Sequence, residues 1–239
     1  MSVTTAPQAL VIEGGNELNG TIRASGNKNG ALPILAACLL ADETVTLSNV
    51  PRIRDVETMI ELICATGASA EWTGTNDVRV EPQGLSSYEV DAVLAERIRA
   101  SFLLAGPLLA RLGRASVPPP GGDVIGRRRL DPHIHALERL GATVEIDTRY
   151  DMETSGLRAA EIFLDEASVM ATENAVMAAV LAPGETMEID VMGSPSSDTR
   201  VVRHMGIDGP YLPDRGGAVS VTTFDEIVLA CDSWGSGHC

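Results

Sequence analysis

Apolar and polar positions alternate along this chain with two periods, and together they predict a repeating order of helices and strands. Residues 31–41 form a short apolar run, and residues 55–65 place apolar side chains at helical spacing. Between and after them, runs with a period of two predict strands. The first block of predicted elements is a helix at 31–41, a strand at 44–48, a helix at 55–65 and strands at 68–72 and 77–81.

The same order starts again twice further along the chain. The second block has a predicted helix at 92–111, a strand at 115–118, a helix at 131–140 and a strand at 142–146; the third has a strand at 161–164, a helix at 171–181 and a strand at 185–189. Thr66-Gly67-Ala68 and Leu140-Gly141-Ala142 end the second helix of two blocks in the same way. A repeat of about 60–70 residues favours three copies of a helix–strand–helix–strand–strand unit.

Both ends of the chain depart from this repeat. Residues 9–13 and 19–25 predict two strands ahead of the first block. After Asp190 the second helix of the third block is missing, and residues 201–205 are interpreted as its remnant at most. We expect residues 191–239 to be a divergent, poorly ordered tail.

Composition narrows the class of protein. Apolar residues make up 44% and charged residues 21% of the 239 residues, as in a globular protein, and aromatic residues only 3%. The formal net charge of −15 argues against nucleic acid as a partner. No apolar run reaches the roughly eighteen residues of a membrane span, and the N-terminus lacks a signal-peptide pattern. Four cysteines without metal-ligand spacing are interpreted as buried thiols in a reducing compartment, and hence predict a cytoplasmic protein with no metal.

One loop combines charge with the start of a helix. The segment Ser25-Gly26-Asn27-Lys28-Asn29-Gly30 leads directly into the apolar helix at 31–41, and Lys28 is the only lysine in the chain. Free backbone N–H groups and the helix dipole favour an anion at such a place, and an ammonium adds charge. In an acidic chain, this loop and the run Arg127-Arg128-Arg129 are the candidate anion sites. The alternative for Lys28 is an exposed lysine in a helix-capping loop.

Five motifs in this order point to a family. They are Ser25 to Ile34 (SGNKNGALPI), Asn49-Val50-Pro51, Ile98 to Phe102 (IRASF), Pro120 to Gly126 (PGGDVIG), and Ser168-Val169 with Ala171-Thr172-Glu173-Asn174. Over residues 9–190 the chain resembles the UDP-N-acetylglucosamine 1-carboxyvinyltransferase family of enolpyruvyl transferases.

The resemblance implies an α/β fold of two domains. Each domain of the family is an inside-out α/β barrel of three repeated units with pseudo-threefold symmetry, and the substrates bind in the cleft between the domains. Residues 1–24 would then be opening strands of the second domain, 25–190 the enolpyruvyl transferase domain, and 191–239 the divergent tail. Most of the family's second domain has no counterpart in this chain.

The resemblance also implies a reaction and its residues. The enolpyruvyl group of phosphoenolpyruvate would move to the 3′-hydroxyl of UDP-N-acetylglucosamine with release of phosphate, the first committed step of peptidoglycan precursor synthesis, without metal or organic cofactor. Asp123 would act as the proton donor and Lys28 would hold phosphoenolpyruvate. The substrate-binding residues implied by the family are Lys28, Asn29, Arg99, Arg128, Arg129, Leu130, Asp131, Pro132, His133, Ser168 and Val169. The family's base and further arginines belong to the second domain.

The chain departs from the family pattern at four of these positions or beside them. Asp123 stands where most members have a cysteine, and a carboxyl group can donate a proton if its pKa is raised in a closed site. That exchange also removes the thiol that fosfomycin alkylates, so the family pattern predicts insensitivity to fosfomycin. Arg129 replaces a usual proline. Glu166 replaces a common lysine and Met170 a usual glycine, and both changes are expected to weaken diphosphate binding.

Two other interpretations compete with an active transferase. The chain is alternatively a shortened, non-catalytic half that at most binds the nucleotide sugar. The third interpretation is a protein that associates with itself through the domain face that the missing domain would cover.

Overall fold

The computed structural model describes residues 15, 19–21, 25–122, 129–164, 168–190, 201–206 and 220–221. For residues 185, 187–190, 201–206 and 220–221 it describes the backbone alone. The predicted strand at 9–13 lies outside the described residues, as do residues 22–24 and most of the tail. The described residues of the predicted strand at 19–25, which are 19–21 and 25, are not in a strand.

Helices and strands alternate along the described residues. The α-helices are α1 (Lys28–Ala37), α2 (Arg54–Ala65), α3 (Ala92–Ala95), α4 (Ala105–Leu112), α5 (Asp131–Arg139) and α6 (Val169–Ala179), and 3-10 helices span Cys38–Leu40, Pro82–Gly84 and Arg99–Leu104. The strands are β1 (Val45–Leu47), β2 (Ser69–Trp72), β3 (Val78–Glu81), β4 (Arg114–Val117), β5 (Thr143–Ile146), β6 (Tyr150–Glu153), β7 (Glu161–Leu164), β8 (Glu185–Asp190), β9 (Val201–Gly206) and β10 (Ser220–Val221). The structure is therefore of mixed α and β content, as the sequence predicts.

Two of the three predicted blocks form the same kind of sheet. In the first block the strand order is β1-β3-β2, and in the second it is β4-β6-β5, with antiparallel pairing throughout. In each sheet the last strand of the block lies in the centre. The register pairs Ala70 with Val80 and Ala115 with Met152, so in each sheet a small buried side chain lies beside a larger one.

The third sheet has a different order. It runs β10-β9-β8-β7, with β7 parallel to β8 and β8 antiparallel to β9. Residues 201–206 are therefore a strand, and the interpretation of 201–205 as the remnant of a helix is wrong.

One hydrophobic core connects the helices of all three blocks. Leu, Ala, Val and Ile side chains dominate it, and Phe102 is its largest fully buried side chain. Helix α6 packs against α4 and α5, and α1 packs against α2 and the 3-10 helix Arg99–Leu104. The few aromatic residues thus leave a core of aliphatic side chains between helices and sheets.

The predicted helix at 92–111 is three helical segments rather than one. Asp91 caps α3 through a bond from the Leu94 N–H to its carboxylate, and Ile98 then takes an extended conformation. The hydroxyl of Ser101 donates to the carbonyl oxygens of Ala95 and Ile98, which connects the two segments across the break. Hydrophobic periodicity does not reveal this break, because apolar residues continue across it.

Strand β6 is absent from the sequence-based prediction. Among its residues only Met152 is buried, so the alternation of apolar and polar positions is too short to identify a strand. The repeat itself carries the missing information, since the first block ends in two strands and the second should do so too.

Burial of the cysteines is confirmed for one of the two described thiols. Cys38 is fully buried, and desolvation raises its pKa to about 12, so the thiol stays protonated. Cys64 lies on the exposed face of α2, which contradicts the expectation that it is buried. The prediction failed because Cys64 ends the apolar run 62–64 but lies one helical turn from the exposed Glu61, on the outer face of α2.

None of the helices in the described part of the chain is both long and apolar enough to cross a membrane.

Candidate anion-binding site at helix N-termini

The described candidate residues share one structural position. Lys28 is the first residue of α1, Arg99 the first of a 3-10 helix, and Asp131 the first of α5. Ser168 is the N-cap of α6. The other described candidates lie in the same first turns or beside them; they are Asn29, Arg129, Leu130, Pro132, His133 and Val169. Free N–H groups at helix starts favour anionic ligands, and the chemistry suits phosphate and carboxylate groups.

The Lys28 loop is fixed by a close backbone approach. A Cβ atom on Gly26 would lie 1.8 Å from the carbonyl oxygen of Asn49, so only glycine fits there. Asn49 has a left-handed φ of 57°, a conformation that asparagine tolerates better than most residues. Two separate sequence motifs therefore pack directly on each other, and this contact sets where α1 begins.

The start of α1 is capped, and Lys28 is held by an acid. The side-chain oxygen of Asn27 accepts a hydrogen bond of 2.7 Å from the Asn29 N–H. The Nζ of Lys28 donates to Oδ2 of Asp55 in α2 at 2.9 Å, and both side chains are partly exposed. Sequence analysis did not identify Asp55, which is 27 residues from Lys28 and has no motif of its own.

Arg99 joins the glycine-rich motif to the start of α5. Gly122 has a φ of 89°, and a Cβ there would lie 3.0 Å from the Arg99 backbone nitrogen. Nη2 of Arg99 donates to the carbonyl oxygen of Arg129 at 3.3 Å. The guanidinium of Arg129 in turn pairs with the Asp131 carboxylate. The residues on either side of 123–128 therefore both contact Arg99.

Two predicted site residues of the loop lie outside the described residues. These are Asp123, the expected proton donor, and Arg128. Glu166, one of the departures from the family pattern, also lies outside the described residues. Ser168 accepts a bond from the Ala171 N–H and is partly buried, while Val169 beside it is 51% exposed.

His133 points into the core instead of toward solvent. Its side chain is 1% exposed, and its ring packs edge-on against Phe102 with centroids 5.1 Å apart. Burial, assisted by the positive charge of Arg99, lowers its pKa to about 3. The imidazole is therefore neutral at physiological pH and offers no positive charge to a phosphate.

A buried amide connects His133 to two other segments. Nδ2 of Asn174 lies 2.8 Å from the Phe102 carbonyl oxygen and 3.0 Å from Nδ1 of His133, while its Oδ1 accepts from the Gly106 N–H at 2.9 Å. Because the amide donates to Nδ1, the neutral imidazole carries its proton on Nε2. We call Asn174, His133, Phe102 and Gly106 the Asn174 cluster. The sequence motif contained Asn174 but gave no indication of this role.

Metal-binding residues do not cluster in the part of the chain that the structure describes. No group of three or more His, Cys, Asp or Glu side chains there is arranged to hold a metal ion.

Comparison with known proteins identifies the family of enzymes to which this chain belongs. The sequence profile of the family described as EPSP synthase (3-phosphoshikimate 1-carboxyvinyltransferase) matches residues 12–208, so the chain belongs to this family of enolpyruvyl transferases. Among solved structures, the enolpyruvyl transferase NikO from Streptomyces tendae superimposes with a TM-score of 0.62 at 25% identity, covering 74% of this chain and 42% of NikO. An EPSP synthase from Acinetobacter baumannii shares the fold with a TM-score of 0.58 at 17% identity.

Curated relatives are more similar in sequence and carry a more specific name. A protein from Bradyrhizobium diazoefficiens named UDP-N-acetylglucosamine 1-carboxyvinyltransferase is 56% identical over 181 residues, which is 76% of this chain and 42% of that protein. A protein of the same name from Treponema denticola is 50% identical over 185 residues, 77% of this chain and 43% of that protein. The chain thus spans less than half the length of the curated relatives that it matches.

Proposed function

We propose that this chain supplies one domain's share of a 1-carboxyvinyltransferase site that acts on phosphoenolpyruvate and UDP-N-acetylglucosamine. The observation that carries the proposal is the placement of the described candidate residues at helix starts, in a chain up to 56% identical to relatives of that name. In the proposed reaction the 3′-hydroxyl of the sugar gives up its proton to a base and its oxygen bonds to C2 of phosphoenolpyruvate, while C3 gains a proton from an acid. The bond from C2 to the phosphate oxygen then breaks and C3 loses a proton, which leaves the enol ether and inorganic phosphate.

Lys28 and Asn29 are proposed to hold the phosphate of phosphoenolpyruvate. The ammonium lies at the first residue of α1, where the helix dipole adds to its charge. Partial exposure of the Lys28 side chain leaves it accessible to a ligand. A phosphate here would gain both a charge-assisted hydrogen bond and N–H groups of the first turn.

Asp123, Arg128 and Arg99 are proposed to act at the reacting end of the substrates. Gly122 and Arg129, which flank residues 123–128, both contact Arg99. Asp123 would protonate the vinyl carbon, and the two arginines would neutralise carboxylate and phosphate charge. With a carboxyl group in place of a thiol, the proposal includes insensitivity to fosfomycin.

The nucleotide is proposed to lie along the start of α5 and the start of α6. Arg129, Leu130, Asp131 and Pro132 are carried over from the family as its contacts, together with Ser168 and Val169. We propose that His133 supports this segment from beneath through Asn174, since its ring is buried and neutral.

The domain organisation is also a proposal. Residues 25–190 would form the enolpyruvyl transferase domain, residues 1–24 would contribute strands to the family's second domain, and 191–239 would be divergent. The shared strand order of the first two sheets supports an inside-out barrel of repeated units with pseudo-threefold symmetry. The base and further phosphoenolpyruvate arginines would come from the second domain, and the proposed setting is cytoplasmic peptidoglycan precursor synthesis.

Phosphate release tests the transferase proposal. The purified chain is incubated with phosphoenolpyruvate and UDP-N-acetylglucosamine, together and singly, beside Lys28→Ala. Release that requires both substrates and is lost in Lys28→Ala is the expected result for an assembled site. Absence of release from a chain that is folded by circular dichroism would contradict catalysis by this chain.

A second candidate is a non-catalytic half of the transferase that at most binds the nucleotide sugar. It is favoured by the match to relatives, which extends over 42–43% of their length. Calorimetry would then show binding of UDP-N-acetylglucosamine without phosphate release. Self-association through the uncovered domain face is a separate proposal, and sedimentation of a clean monomer at all accessible concentrations would contradict it.

A further inference from the structure

We propose that Asp55 acts as an internal competitor for Lys28, occupying its ammonium until a phosphate group displaces the carboxylate. This inference rests on the proposed phosphate site at Lys28. It gives Asp55 a function beyond that of an ion-pair partner. Asp55 would not touch the reacting atoms; it would act through Lys28 and set how tightly the site holds phosphate.

The geometry places the two groups against each other from fixed backbones. Lys28 is held at the first residue of α1 by the Asn27 cap and by the close approach of Gly26 to Asn49. Asp55 lies in the first turn of α2, which packs directly on α1. The resulting Nζ–Oδ2 distance of 2.9 Å is that of a full charge-assisted hydrogen bond.

The pair is selective within the described residues. Lys28 has Asp55 as its charged partner there, and the neighbouring acid Glu57 pairs with Arg52 at 3.5 Å instead. Lys28 and Asp55 are 48% and 36% exposed in their side chains, so the pair is weak enough for a ligand to break. A dianion that reaches the ammonium would lie within about 6 Å of the carboxylate and be repelled by it.

Removing the carboxylate charge should therefore strengthen phosphate binding rather than weaken it. Asp55→Asn removes the repulsion of a dianion across about 6 Å at the protein surface and also removes the competing ion pair. Together these two changes should raise the affinity for phosphate about three- to tenfold. A structural role for Asp55 predicts the opposite sign, because loss of the ion pair would leave Lys28 less well placed.

The single lysine allows a direct measurement. Reductive methylation with 13C-formaldehyde labels Lys28 and the N-terminal amine, and methylation keeps the positive charge of both. The Lys28 dimethylamine resonance is followed by NMR as inorganic phosphate is added at pH 8 and constant ionic strength. The proteins compared are the wild type, Asp55→Asn and Glu57→Gln, the last removing one charge from the same helix turn.

The expected result is a half-saturating phosphate concentration about three- to tenfold lower for Asp55→Asn, with Glu57→Gln within twofold of the wild type. Equal or weaker binding by Asp55→Asn, in a protein with an unchanged melting curve, would overturn the competitor role and leave the phosphate site in place. A Lys28 resonance that phosphate moves in none of the three proteins would overturn both the competitor role and the proposed site.

Discussion

The Lys28 loop and the Asn174 cluster are held in the fold by opposite means. The loop is exposed and depends on a backbone contact that only glycine permits, with one surface ion pair at its tip. The cluster is buried and depends on three side-chain hydrogen bonds from a single amide. The loop keeps its charge accessible, whereas the cluster excludes charge altogether, since its histidine is neutral. Residues of one family pattern thus divide into exposed charged groups and buried groups that hold helices of the core together.

Asn174→Ala should have the largest effect on stability. The substitution leaves the Gly106 N–H and Nδ1 of His133 without their partner in the core. It also removes one of two bonds to the Phe102 carbonyl, which still accepts from the Ala105 N–H. Unsatisfied buried groups and the new cavity are expected to cost about 3–5 kcal/mol in free energy of unfolding. Urea denaturation followed by circular dichroism measures this loss.

The matched control is Asn76→Ala, which removes one partly buried bond to the Val50 carbonyl. We expect it to cost about 1 kcal/mol. If Asn174→Ala is no more destabilising than Asn76→Ala, the Asn174 cluster does not hold the helices together.

Gly26→Ala should have the next largest effect, in the Lys28 loop. Its methyl group would overlap the Asn49 carbonyl oxygen, so the loop must move away from the Asn49–Pro51 turn. We expect a loss of about 1–3 kcal/mol in free energy of unfolding and a shifted Lys28 NMR resonance.

Gly30→Ala is the matched control for Gly26→Ala. It lies within α1, and a Cβ there would meet no atom within 4 Å. Since alanine favours a helix over glycine, this variant should be more stable by about 0.5–1 kcal/mol. A neutral Gly26→Ala would show that the close approach does not define the loop.

The neutral His133 predicts a pH dependence of stability. Its pKa is lowered from 6.5 to about 3 on folding, so below pH 6.5 the unfolded state takes up a proton that the folded state refuses. Stability from this group is complete above pH 6.5 and is lost as the pH falls toward 3. The slope is at most about 1.4 kcal/mol per pH unit.

Urea denaturation at pH 7 and pH 5 measures this slope. His133→Gln removes the titrating group and should reduce the loss between these pH values, whereas His135→Gln on the exposed face of the same helix should leave it unchanged. An equal loss in the wild type and His133→Gln would show that another group is responsible.

The repeated blocks and the family motifs could be identified from the sequence because both depend on local patterns. Sequence reasoning placed α1, α2, α5 and α6 within four residues of their ends, since apolar periodicity and glycine stops define them. It did not find Asp55 or the role of Asn174, because these contacts join residues 27 to 72 positions apart. It also grouped His133 with Lys28, since a motif records which residues occur together and not which of them are buried.

The difference between the exposed Lys28 loop and the buried Asn174 cluster is tested most directly by a calorimetric titration. The chain is titrated with phosphoenolpyruvate at pH 7.5, and the wild type is compared with Lys28→Ala. Because Lys28 forms one exposed ion pair, its loss should change stability by less than about 0.5 kcal/mol. Its loss should at the same time weaken phosphoenolpyruvate binding about tenfold or more, as a charge-assisted hydrogen bond to phosphate is removed. Wild-type affinity in a folded Lys28→Ala variant would contradict the assignment of the Lys28 loop to phosphoenolpyruvate.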